Sequence, residues 1–158
     1  ACAHAADEPD NPNAWFWQGY ALLRYSQGIH VARALAQGLG TQTHAALEKA
    51  LQLAPTHVYA HLALGSFHAE VIDKVGPLIG AMTYGARAET SLWHFREALR
   101  LAPDSAAAMV GYADALVTLD GEVRLSEATQ LYEQASSVTA RDAVEGLWVE
   151  LARAGLAL

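Results

Sequence analysis

The stretch HVYAHLALGSFHAE, residues 57–70, carries three histidines and ends in a glutamate. On a helix, position 61 lies about 40° round from 57, and 68 about 20° back from 61. His57, His61 and His68 therefore share one face, the arrangement of either a metal or catalytic site or a packed seam. Zn–N bonds are about 2.0–2.1 Å, so ligating nitrogens must converge. Between His57 and His61 the helix rises about 6 Å, which two imidazoles span, whereas His68 lies about 10.5 Å beyond His61. A third ligand has to come from elsewhere, with His94, His44 and Glu70 as candidates. Histidines four apart without the glutamate of H-E-x-x-H point only weakly to a hydrolase. Ser66 and His68, two apart, face away from each other on a helix, and LGSFH is not a G-x-S-x-G elbow. GPLIGAMTYG has neither the P-loop lysine nor Rossmann spacing. Glu70 and Asp73 read as a solvated helix face. The residues therefore predict no enzymatic activity, no cofactor and no metal, with His57 and His61 the one pair worth testing for an ion.

The elements that must position these side chains follow from composition. Apolar residues make up 53% of the 158, which argues against disorder. Alanine and leucine dominate while isoleucine is scarce, which predicts an all-α protein. A net charge of −7, with only 10 scattered basic residues, argues against nucleic-acid binding, because phosphate contacts need clustered Lys and Arg. No apolar run reaches the roughly 18 residues that a membrane helix needs.

Cys2 is the sole cysteine, so no internal disulfide forms. The opening ACAHAADEPD has no methionine, which fits removal of a leader. In one reading Cys2 is the lipid acceptor of an exported lipoprotein, and membrane contact runs only through that lipid. In another, Ala1-Cys2-Ala3 ends a secretory signal. The rival is a cut placed by the experimenter in a cytoplasmic protein. Residues 1–11 read as a flexible polar tether, and 12–158 as a single helical domain.

Internal repetition organises that domain. ALEKALQLAPTHVYAHLALG (46–65) and HFREALRLAPDSAAAMVGYA (94–113) share x-A-L-x-L-A-P, then a fresh helix with a small residue ten positions after the proline. Pro9, Pro55 and Pro103 recur about 46 and 48 residues apart, each followed by a small residue: Gly19, Gly65 and Ala113. Seven helices are expected, near 12–27, 41–53, 57–72, 89–101, 105–119, 124–138 and 141–155, with Thr41, Thr56 and Asp104 as start signals.

These residues resemble tetratricopeptide (TPR) repeats. First helices supply Trp15/Gln18/Gly19/Leu22, His61/Leu64/Gly65/His68 and Met109/Tyr112/Ala113/Leu116. Second helices supply Thr43/Leu47/Ala50/Pro55, Ser91/Phe95/Ala98/Pro103 and Ala128/Tyr132/Ala135/Ala140. The resemblance implies a right-handed α-solenoid of antiparallel helix pairs, closed by a C-terminal capping helix in which Trp148 is a packing anchor. It places His61 and His68 at interhelical packing positions. Trp15, Trp17 and Trp93, at helix spacing, are expected in the core.

The first two repeats exceed a TPR unit by about 12 and 14 residues. The extra segments, near 26–43 and 73–89, fall at the same point in successive repeats. They are expected to form extended segments or extra helical turns packed on each other, covering Ile29, Val31, Leu35, Leu39, Val75, Leu78, Ile79, Met82 and Tyr84. In this the chain resembles irregular TPR-like proteins of bacterial envelopes and, distantly, the helical T-component lipoproteins associated with TRAP transporters.

The resemblance also implies a concave groove lined by first helices: Asn13, Phe16, Tyr20 and Arg24, then Tyr59, Leu62, Ser66 and Glu70, then Ala107, Val110 and Asp114. That mix suits a peptide or helix with apolar anchors, and Arg24 is placed to pair with Glu70 across repeats. The expected function is a non-enzymatic protein–protein interaction scaffold, exported and periplasmic or lipid-anchored. The alternative is a small-ligand- or metal-binding, transport-associated protein whose groove the insertions close, with Leu35, Met82 and Tyr84 folded over the first helices.

Overall fold

A computed structural model describes residues 2–157, with side chains from Ala5 onward. Ala1 and the side chain of Cys2, on which the lipid-anchor and signal readings turn, lie outside the described residues. Among the described residues the chain is all-α: ten helices, one 3-10 turn and no strand. The helices are α1 (Cys2–Asp7), α2 (Pro12–Gln27), α3 (Val31–Ala36), α4 (Leu39–Leu53) and α5 (Val58–Val75). There follow α6 (Pro77–Tyr84), α7 (Ala88–Leu101), α8 (Ala106–Asp120), α9 (Leu125–Ser136) and α10 (Ala143–Leu156). None of them is long and apolar enough to cross a membrane.

All seven expected helices are present, with ends displaced by no more than three residues. Side-chain caps fix four of the starts. Asn11 accepts from the Asn13 N–H, His57 Nδ1 from Ala60, Ser105 Oγ from Ala108 and Asp142 from Glu145, each satisfying an orphan donor of the first turn. The caps at residues 57 and 105 thus stand one position beyond the expected Thr56 and Asp104. Thr41 lies inside α4, which starts after Gly38 in the left-handed region at φ 61°.

Three further helices were not expected as such. Over the segment read as a tether, α1 buries Ala5, and Trp15 Nε1 donates to the Pro9 carbonyl at 2.8 Å. The insertions carry α3, which packs on α4, and α6, which packs chiefly on α5 and more lightly on α4, so the two rest on the helices between them rather than mainly on each other. The second insertion covers less than expected: Leu78, Ile79 and Met82 are exposed, Met82 by 80%. Only two turns long, α6 docks through Gly80, against Val71 and Ala86, and through Tyr84 against Gly40. Its opposite side meets none of the described residues and faces solvent.

The helices associate chiefly as α2 with α4, α5 with α7, and α8 with α9, and α10 packs on α9 and α8. Two apolar clusters result. One joins Phe16, Leu23, Leu47, Leu64 and Phe67, and the other joins Phe95, Met109, Tyr112, Leu116, Leu131 and Val149. The two motif glycines each receive a ring or branch from the neighbouring helix. A Cβ on Gly19 would stand 2.6 Å from Leu47 Cγ, and one on Gly65 2.7 Å from Phe95 Cε2. Trp148 packs half-buried on the second cluster, while Val144, Leu147 and Leu151 leave the outward side of α10 apolar and exposed.

Candidate functional site

Three links tie α2 to α5 along their length. Near the N-terminal ends, His57 Nε2 donates to Asn13 Oδ1 at 2.9 Å. Just beyond it, the Phe16 and Tyr59 rings lie 6.3 Å apart. Near the C-terminal ends, Gln27 Nε2 donates to Glu70 Oε1 at 2.5 Å. The partners of Asn13 and Gln27 lie 44 and 43 positions further along the chain, so α2 and α5 lie side by side with a fixed register.

An aromatic cluster grows from the middle link. Phe16 contacts Trp17 at 5.1 Å, Tyr20 at 5.7 Å and the His57 ring at 5.0 Å. Phe16 itself is only 7% exposed and belongs to the core, so it supports the surface and does not face a partner. Trp17 is 56% exposed, contrary to the core position expected of it, and Tyr59 is 63% exposed. Residues 13, 17, 20 and 24 form one exposed helical stripe beside the buried stripe of Phe16, Gly19 and Leu23, and that spacing marks Trp17 as a surface residue once Phe16 is assigned to the core. Trp93 is likewise half exposed, and Trp15 is half-buried as its packing position implies.

The other expected groove residues divide. Asn13 and Arg24 are exposed, and Leu62, Ser66, Glu70 and Ala107 are half-buried. Val110 is buried in the second cluster and offers nothing to a partner. Asp114 accepts from the Tyr132 hydroxyl, and partial burial raises its carboxyl pKa. Arg24 does not meet Glu70 directly: Arg24 Nη1 donates to Gln27 Oε1 at 2.8 Å, and Gln27 carries the link to Glu70.

The histidines part company. His57 lies outside the helix as its cap, so the face shared with His61 dissolves. His57 turns its nitrogens to Ala60 and Asn13, and His61 to the Pro55 carbonyl and His94. The two do not converge on a common point. Among the described residues no three His, Cys, Asp or Glu side chains form a metal-binding group.

Instead, His61, His68 and His94 form a buried seam between α5 and α7, with His44 of α4 beside it. His61 Nδ1 and His94 Nδ1 are 2.9 Å apart, and His61 Nε2 lies 3.0 Å from the Pro55 carbonyl. That carbonyl only accepts, so His61 carries its proton on Nε2 and receives the His94 Nδ1–H. The Arg87 N–H donates to His68 Nδ1 at 3.4 Å, which leaves the His68 Nε2–H buried without a protein partner. Ring contacts continue from His94 to His68 at 5.9 Å and from His68 to His44 at 5.5 Å. Loss of solvation lowers His68 to about 4 and His94 to about 3, the neighbouring imidazoles adding a little. Both rings are neutral at pH 7 and act as core.

The insertions do border the first helices. Leu35 and Tyr84 line an apolar cleft with Leu23 and Phe67, but Met82 points to solvent. Comparison with protein-family models, curated proteins and solved structures gives no match to this chain.

Proposed function

We propose that this chain is a TPR-like α-solenoid that works as a non-enzymatic scaffold, holding a peptide or helix against the α2/α5 face. Three observations support the solenoid. The register between α2 and α5 is constant. Contacts between α5 and α7 run in opposite order: His61 meets His94, Gly65 meets Ser91, and His68 meets Arg87. The Gly19–Leu47 contact recurs as Gly65–Phe95. Antiparallel pairs stacked with parallel first helices have these relationships.

The binding reading rests on the Trp17, Tyr20 and Tyr59 rings, exposed together around Phe16. Trp and Tyr supply large contact area and dominate interface hot spots. They stand here on helices already locked by the Asn13–His57 and Gln27–Glu70 bonds, so a partner orders little protein on arrival. The partner is a peptide with apolar anchors.

A random peptide library displayed against the protein tests the reading. Enriched peptides are expected to lose about tenfold or more in affinity for Trp17→Ala/Tyr59→Ala protein. The reading fails if nothing is enriched, or if the double variant binds the same peptides equally well.

A further inference from the structure

Beside the Gln27–Glu70 bond lies a cleft of about 70 Å³. Its walls are Leu23 of α2, Val31 and Leu35 of α3, Phe67 of α5 and Tyr84 of α6, so both insertions help to build it. It is far smaller than the roughly 300–1,000 Å³ of a drug-sized pocket and open on one side, so it takes a short apolar side chain and not a drug-sized molecule.

The polar groups that line it are few and specific. Glu70 and Lys74 stand one turn apart on α5, with Lys74 Nζ 3.9 Å from Glu70 Oε2. Ser26 Oγ donates to the Leu23 carbonyl and keeps its lone pairs free to accept. At the base is Thr43, whose buried hydroxyl has no protein partner. Burial raises the Glu70 carboxyl above its ordinary range, outweighing both Lys74 and the Gln27 amide. The carboxylate is thus short of donors, while a cation stands beside it.

We propose that this cleft binds a free α-amino acid with a short apolar side chain, such as L-leucine or L-valine. The ammonium meets Glu70 and Ser26, the carboxylate meets Lys74, and the side chain lies among Leu23, Leu35, Phe67 and Tyr84. Charge complementarity selects a zwitterion. Opposite charges one helical turn apart match an ammonium and a carboxylate borne on one carbon, whereas a singly charged amphiphile leaves a like charge facing it. The site makes no use of Trp17, Tyr20 or Tyr59 and goes beyond the peptide-binding reading.

The test is an amide-resolved NMR titration of the whole protein with three probes: L-leucine, 3-methylbutan-1-amine and 3-methylbutanoate. Leucine is expected to shift the amides of Gly40, Val71 and Tyr84 saturably below about 10 mM. Each single-charge probe is expected to bind at least about tenfold more weakly. Glu70→Gln should weaken leucine and the amine by about tenfold and tighten the carboxylate probe, from which it removes a like charge; Lys74→Gln should weaken leucine and the carboxylate and tighten the amine. Trp17→Ala/Tyr59→Ala should leave leucine binding unchanged, so that failure here is separable from failure of the peptide face. The proposal is overturned if leucine does not saturate, if all three probes bind alike, or if Glu70→Gln protein with a parental melt holds leucine as tightly as the parent.

Discussion

The Nδ1 atoms of His61 and His94 lie 2.9 Å apart with one proton between them, because the Pro55 carbonyl holds His61 as its Nε2–H tautomer. Burial keeps the His68 and His94 rings of the same seam neutral. In the unfolded chain these imidazoles take up a proton near 6.5, whereas folded His68 waits until about 4 and His94 until about 3. The unfolded state binds more protons in that window. Stability is complete above about pH 6.5 and falls on acidification, by up to about 1.4 kcal/mol per pH unit for each ring. Urea unfolding between about pH 7.5 and 4.5 checks this. His68→Phe should flatten the slope, and parallel slopes in the two proteins would refute the assignment.

Gly65 is required by Phe95, whose ring also lies 2.7 Å from where a Cβ on Gly111 would stand. Gly65→Ala forces that ring out of place and is expected to cost about 1–3 kcal/mol. Gly28→Ala is the control: its φ of −89° suits any residue, and the added Cβ meets its nearest atom, the Tyr25 carbonyl oxygen, at 3.6 Å. Denaturation midpoints of the two variants should separate clearly.

His57 acts as a helix cap. His57→Ala is expected to lose about 1 kcal/mol, and His57→Ser to recover most of it, since serine caps well. A thermal melt of the wild type with and without chelator should be superimposable. A chelator-sensitive melt that disappears in His57→Ala protein would restore the metal reading.

Thr43 is 1% exposed and its hydroxyl has no protein partner. Such a group costs about 1–3 kcal/mol when it could instead be apolar. Thr43→Val keeps the shape and removes the polar atom, so its urea midpoint should match or exceed the parent's. A loss above about 1 kcal/mol would mean that the hydroxyl has a partner after all.

Trp17 and Tyr59 hold little of the fold together. Replacing both with alanine should change stability by less than about 1 kcal/mol, as exposed substitutions usually do. Phe16→Ala, which empties a core position in contact with the same rings, is expected to cost about 3–5 kcal/mol. Equal losses in the two variants would place the exposed rings in the core.

The sequence by itself determined the helical class, because alanine- and leucine-rich runs punctuated by Pro55 and Pro103 have few alternatives to helix. It also determined where the chain needs small residues, since Gly19 and Gly65 recur in one register and each receives a side chain from the neighbouring helix. Its reading failed where the answer depended on a second element. The shared face of His57 and His61 assumed that both were helical, but a cap residue has extended backbone, and that single dihedral turned the rings apart. Trp17 was assigned by residue type, whereas burial depends on what stands opposite: Phe16 took the core position, and Trp17 one residue on was left outside. Arg24 and Glu70 were matched by charge, but Gln27 was the side chain in reach. Periodicity fixes which way a side chain leaves its own helix. Only packing decides what it meets, because a contact is a property of two surfaces and the sequence of one element carries half of it.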